Sequence, residues 1–241
     1  MSEPALPHPV YTLCQIVFPV RPDFVAVLPE VTRIAEKKFP NLSNRTNPTA
    51  GAYASPQSLR WDFNAEDGQS GIILLPGVIT FNFMGEVDEH KLSAALETCN
   101  YLVQYMKNAD QPCTRVGCRR AYLLGPEFPL CACLKKPDNE FRSKLGKAGA
   151  YASMLFSFKL RDNAVFKISL SYEDPPQALS FDLRGHSLMA SVQPSSGDIR
   201  LDIDGSSFSA LPLDLDFKTE ILRYLSDTDE VLQLLSEEQD K

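Results

Sequence analysis

Cys113, Cys118, Cys131 and Cys133 supply four thiols in the order C-x4-C, a gap of twelve residues, then C-x-C. Four thiolates can hold Zn²⁺ tetrahedrally, but the turns that aim two sulfurs at one point carry two residues between the cysteines. The spacing is wrong at both ends, so buried or incidental thiols and no metal are expected. Asp202 and Asp204 flank Ile203 and precede Gly205. On a strand such carboxylates share a face about 7 Å apart, an arrangement a metal-dependent hydrolase or nucleotidyl enzyme could use. An EF-hand loop is excluded, because with Asp202 as first loop position Leu213 stands where the closing glutamate belongs. The plainer expectation for the pair is a solvent-facing strand edge and its turn.

His8, His90 and His186 fall in a terminal arm, a helix start and a turn, with no serine or cysteine in a nucleophile signature. There is no Walker loop and no dinucleotide glycine pattern, and 144–149, around Gly146 and Lys147, reads as a basic loop. No catalytic residue and no cofactor is therefore expected. Arg115, Arg119 and Arg120 are the more informative basic group. Period-two geometry puts Arg115 and Arg119 on one face of a strand and Arg120 on the other, beside Cys118 and Tyr122. An arginine on an apolar face needs a carboxylate or a ligand, and an internal ion pair is the simpler provision.

The chain of 241 residues carries a net charge of −7, with 44% hydrophobic and 23% charged residues, ordinary values for a globular protein with a sizeable core. Six cysteines without a secretory signal favour reduced thiols and a cytoplasmic setting. The longest apolar stretch, 71–84, is broken by Pro76-Gly77 and is too short to cross a bilayer. Charge is uneven: 115–147 holds eight basic and three acidic residues, 198–241 twelve acidic and four basic. The acidic total argues against nucleic acid as a partner.

The elements that must position these residues follow from periodicity. A strand is expected over 10–18 and a helix from Pro29 to Phe39, then a polar loop over 41–57. Leu59, Trp61 and Phe63 alternate with polar residues as a strand, followed by strands over 72–75 and 78–84. Leu92, Leu96, Cys99, Val103 and Met106 mark a helix over 88–107, and Val116, Cys118, Arg120 and Tyr122 a strand ended by Gly125-Pro126. After a basic loop, five alternating strands read as a meander with one wet face. A helix capped by Asp214 or Asp216 closes the chain and restarts near 226–229. The expected class is α+β, mostly antiparallel, with a β-α-βββ-α-β half, a five-strand meander and a C-terminal helix. One domain over 1–241 is expected, its only internal boundary being the basic loop between 1–125 and 150–241.

The opening apolar strand, the helix ending in Phe39-Pro40, the strand Arg115-Val116-Gly117-Cys118-Arg119-Arg120 and the late Leu201-Asp202-Ile203-Asp204 before an amphipathic helix resemble a sporadically distributed bacterial family of unknown function. The match lies in element spacing over nearly the whole chain. The resemblance implies a protein of the bacterial accessory genome without an established activity.

Three functions are consistent with these residues. The first is a non-enzymatic protein-binding factor, such as an immunity- or defence-type protein, whose acidic C-terminal surface would suit a basic partner. Its contact residues would be Phe128, Leu130 and Leu134, apolar groups in a stiff basic loop, with Arg119, Arg120 and Tyr122 nearby. The second is an enzyme with scattered acid and base groups, using Asp202 and Asp204. The third is a binder of a small anion over Arg119 and Arg120.

Overall fold

The computed structural model describes residues 6–45, 60–66, 69–85, 87, 89–124, 128, 150–161, 163–174, 180–183, 186–189, 199–207, 211–212 and 214–236. In chain order the elements are β1 (Tyr11–Val17), α1 (Phe24–Glu36), β2 (Asn41–Arg45), β3 (Trp61–Asn64), β4 (Ser70–Leu75), β5 (Val78–Met84), α2 (Glu89–Met106) and β6 (Arg115–Leu124). They continue with β7 (Ala150–Arg161), β8 (Ala164–Asp174), β9 (Ser180–Leu183), β10 (His186–Met189), β11 (Ile199–Ser207) and α3 (Phe217–Ser236).

Nine of the strands form one antiparallel sheet in the order β2-β3-β4-β5-β1-β6-β11-β8-β7, and β9 with β10 forms a separate two-stranded sheet. The fold is α+β. Directly opposed residues point to the same face, so the pairing register sorts every side chain. On one face Cys14, Phe81, Val116, Tyr122, Leu201, Ile203 and Phe166 are buried together with Val31 of α1, Leu96 and Cys99 of α2, and Ile221 and Tyr224 of α3. On the other face a smaller cluster holds Tyr11, Leu13, Ile73, Leu75, Val78 and Ala121, and no residue of the described helices belongs to it. Pro76 and Gly77 make the two-residue link between β4 and β5, where Gly77 at φ 73 adopts the left-handed conformation that a side chain disfavours.

Several expectations are corrected. The strands after the basic loop do not form a meander: β7 pairs with β8, but β9 and β10 leave the sheet and β11 returns between β8 and β6. Ile199, Leu201 and Ile203 are fully buried there, which an interior strand under a helix achieves and an edge strand does not. Helix α1 begins at Phe24, ahead of Pro29, because Phe24 is buried edge-on against Trp61 at 6.4 Å between ring centroids. It also ends at Glu36, not Phe39, and the Phe39 amide turns back to the Ala35 carbonyl. The start of the polar loop, Asn41–Arg45, is a strand paired with β3. The C-terminal helix runs unbroken through 226–229, since the Thr228 hydroxyl is satisfied by the Leu225 carbonyl within the helix. Its cap is Asp216, whose carboxylate accepts from the Lys218 amide and the Thr219 hydroxyl.

Candidate functional site

Strand β6 lies next to the middle strand of the sheet, and its alternation delivers two different environments. Cys118, Arg120 and Tyr122 face the helices, whereas Arg115, Gly117 and Arg119 face the opposite side. On that side the register sets Asp204 opposite Arg119 and Asp202 opposite Ala121, so each aspartate lies beside an arginine of β6. Arg115 Nη2 meets Asp204 Oδ1 at 3.3 Å. Arg119 Nη2 meets Asp202 Oδ2 at 3.3 Å, and Arg200 Nε meets the same oxygen at 2.7 Å. Asp202 Oδ1 in turn accepts from Arg119 Nε and Arg200 Nη2, both at 3.3 Å. The solvent-facing strand edge expected from sequence is therefore wrong for Asp202, whereas Asp204 stays about a third exposed. Asp202 is only 7% exposed, and β11 is an interior strand that continues through Gly205 to Ser207. Gly205 serves a close approach, not a turn, because a Cβ there would run into the ring of Phe166.

This ladder borders a hollow of about 100 Å³ between Leu13, Gln15, Arg115, Gly117, Arg119 and Asp204. Position 117 takes glycine because β11 comes close: a Cβ there would lie 2.6 Å from the Gly205 carbonyl oxygen, too close for the strands to pair as they do. A space of this size admits a few waters or a small ion, far less than the usual volume of a ligand pocket. Among the described residues no group of three or more histidine, cysteine or acidic side chains is arranged to hold a metal ion.

On the helix side Arg120 is nine-tenths enclosed and reaches across to α3, where Nη1 bonds the Asp229 carboxylate and, at 3.4 Å, the Leu225 carbonyl. The carboxylate partner that an arginine on an apolar face requires is thus internal. Tyr122 is fully buried, and burial pushes its phenol up to about 12 despite the Arg120 guanidinium beside it. Arg119 and Arg120 diverge to opposite faces of the sheet, so they do not converge on one anion.

Cys118 Sγ lies 4.0 Å from Cys14 Sγ, straight across the β1–β6 pair, and Cys113 and Cys99 are buried as well. Burial raises the Cys99 and Cys118 thiols well above their ordinary range and pushes Cys113 up to about 11. These are thiols of the core, poor nucleophiles at neutral pH. Cys131 and Cys133 lie outside the described residues, as do Leu130 and Leu134. Phe128 is described: it is partly buried and packs against the main core.

A second surface was not singled out from the sequence. Strand β7 ends the nine-stranded order, and among the described residues no strand pairs with its outer edge. Leu155, Phe156 and Phe158 on this strand are 71%, 44% and 37% exposed. Phe158 is held in place by stacking on Phe166, with ring centroids 5.9 Å apart. Phe156 and Phe158 read as core positions because they keep the period-two pattern. The available signal was Leu155, an apolar residue on the face that alternation reserves for polar ones. No helix is long and apolar enough to cross a membrane among the described residues.

No protein-family model matches the chain, and no curated protein is significantly similar to it.

Proposed function

We propose that the chain is a non-enzymatic protein-binding factor of a bacterial accessory genome, of the immunity or defence type, acting in the cytoplasm, and that its contact surface is the outer edge of β7. The observation that carries this reading is the exposure of Leu155, Phe156 and Phe158 along a strand whose outer edge has no pairing strand among the described residues. Natural sheets blunt their edges with charge, proline or short strands. A twelve-residue edge with three large apolar side chains within four positions departs from that practice and fits strand addition by a partner. The loop residue Phe128 is less suited to be the anchor, since it packs on the core.

The enzyme alternative draws less support from the same geometry. Asp202 Oδ1 accepts from the Arg119 and Arg200 guanidinium groups, Oδ2 lies within ion-pair distance of both, and Asp204 accepts from Arg115. A cation at this pair would have to displace arginines that already neutralise the carboxylates.

The test pairs binding with stability. The double variant Leu155→Lys, Phe156→Lys should keep its denaturation midpoint within the range of surface substitutions and lose capture of the native partner from cytoplasmic extract. Undiminished capture by the folded variant would remove β7 as the contact surface.

A further inference from the structure

Resting on that reading, we infer that the occupant of the β7 edge is a second copy of this chain, paired antiparallel about a two-fold axis that passes beside Ser157. Leu155 faces one side of the sheet and Phe156 and Phe158 the other, as their partners on β8 show: Leu155 opposes Ser169, whereas Phe156 opposes Ile168 and Phe158 opposes Phe166. A protein docked on one face would cover only one of these sets. An added strand covers both, because it continues the sheet.

Self-pairing imposes its own condition, since an isologous contact must be complementary to itself. With Ser157 opposite its own copy, Phe156 falls opposite the partner's Phe158, and the same pair recurs across the axis. Leu155 then falls opposite the partner's Lys159, whose aliphatic stem can cover it. Aromatic pairs directly across two strands are among the favourable cross-strand combinations. Charge selects the same registers. Centring the axis on Lys159 would set two ammonium groups face to face, whereas the Ser157-centred register holds them four residues, about 13 Å, apart along the strand, beyond the screening length at physiological salt.

Among the described residues the helices leave room for the second copy. A two-fold axis perpendicular to the sheet keeps the described helices of both copies on one side, and α3 packs chiefly over β6 and β11, reaching β7 at Arg161 near its end. Arg161 at the end of β7 is already engaged by Glu220 and Asp227 of α3, so its charge is answered within the chain. The assembly would carry a continuous sheet of twice nine strands.

Ser157→Cys and Lys159→Cys, each compared with the unmodified chain, test the register by mild oxidation and non-reducing electrophoresis. Directly opposed positions in antiparallel strands have Cα atoms roughly 4.5–5.5 Å apart, within the span of a disulfide. Ser157→Cys is expected to give a covalent dimer and Lys159→Cys none above the unmodified chain. Sedimentation equilibrium over the micromolar range should return twice the 26.8 kDa chain mass, falling to one chain in Leu155→Lys, Phe156→Lys. A monomer at all concentrations overturns the inference. If the double variant also loses a different captured protein, the binding role of β7 survives and only the self-pairing fails. If it loses nothing, both fail. A dimer that persists in the double variant, without Ser157→Cys cross-linking, also overturns it, because the copies then meet elsewhere.

Discussion

Arg119 of β6 and Asp202 of β11, 83 residues apart in sequence, meet at 3.3 Å on the sheet face opposite the described helices. Arg200 reaches the same carboxylate from its own strand, so one largely buried charge is held by two cations. Asp204 and Arg115 repeat the contact beside it, with both side chains about a third or more exposed.

The two aspartates should therefore differ sharply when removed. Asp202→Ala strips the shared partner from two half-buried guanidinium groups and is expected to cost about 2–3 kcal/mol. Asp204→Ala breaks a solvated pair and should stay within about 0.5 kcal/mol. Urea denaturation of the two single variants separates the cases, and equal effects would contradict the burial difference.

Parity made much of this legible in advance. Alternation along 115–122 assigns Arg115 and Arg119 to one face and Arg120 to the other, and the structure agrees. Helix α2 announces itself through apolar spacings of three and four, and its observed bounds, Glu89–Met106, follow them closely. What alternation cannot report is a strand's neighbours. The same period two describes β11 in a meander or inserted between β6 and β8, so the partners of Asp202 and Asp204 stayed hidden. The Cys14–Cys118 contact was hidden for the same reason. The start of α1 was obscured by Pro29, which reads as a first-turn residue, while burial of Phe24 against Trp61 draws in an extra turn before it.

Alkali should destabilise the fold in a defined window. Burial raises the thiols of Cys99 and Cys118, pushes Cys113 up to about 11, and pushes the phenols of Tyr122 and Tyr224 up to about 12. In the unfolded chain thiols ionise near ~8.5 and phenols near ~10, so there the unfolded state releases protons before the folded one. Stability from these neutral buried groups is complete below the unfolded pKa values and is lost as pH rises through the folded ones. The denaturation midpoint should be steady near neutrality, fall from about pH 8.5, and fall faster above about pH 10. Cys113→Ala should remove part of the fall between about pH 9 and 11. An unchanged midpoint up to that range would show that the thiols are less enclosed than described.

Arg161 should prove to be the fastening of α3 to the far end of the sheet. It contacts Glu220 at 3.1 Å and Asp227 at 2.8 Å and lies 4.5 Å from the centroid of the Tyr224 ring. All three charged side chains are at most 15% exposed. Arg161→Ala leaves two enclosed carboxylates without their cation, with an expected loss of about 3 kcal/mol. Arg161→Lys should recover only a part, because a single ammonium cannot fork between two carboxylates while stacking on a ring. Amide hydrogen exchange should show the loss first in α3. Full rescue by lysine would mean that charge alone, without the planar fork, holds the helix.

Phe128 decides between a loop that presents an anchor and a loop that closes the core. In sequence it stands outside any periodic element, between Gly125-Pro126 and Pro129, which is where an interface anchor is often displayed. In the structure it is only partly exposed and packs against the main cluster of buried residues. Introducing a carboxylate there would place a charge against apolar neighbours, so Phe128→Asp is expected to cost about 3 kcal/mol or more. Phe128→Leu keeps an apolar group and should cost about 1 kcal/mol. Both variants are read by chemical denaturation, and the gap between them carries the conclusion, since it isolates charge from shape. If Phe128→Asp lost under about 1 kcal/mol, the side chain would be facing water and the anchor would return to this loop, away from β7.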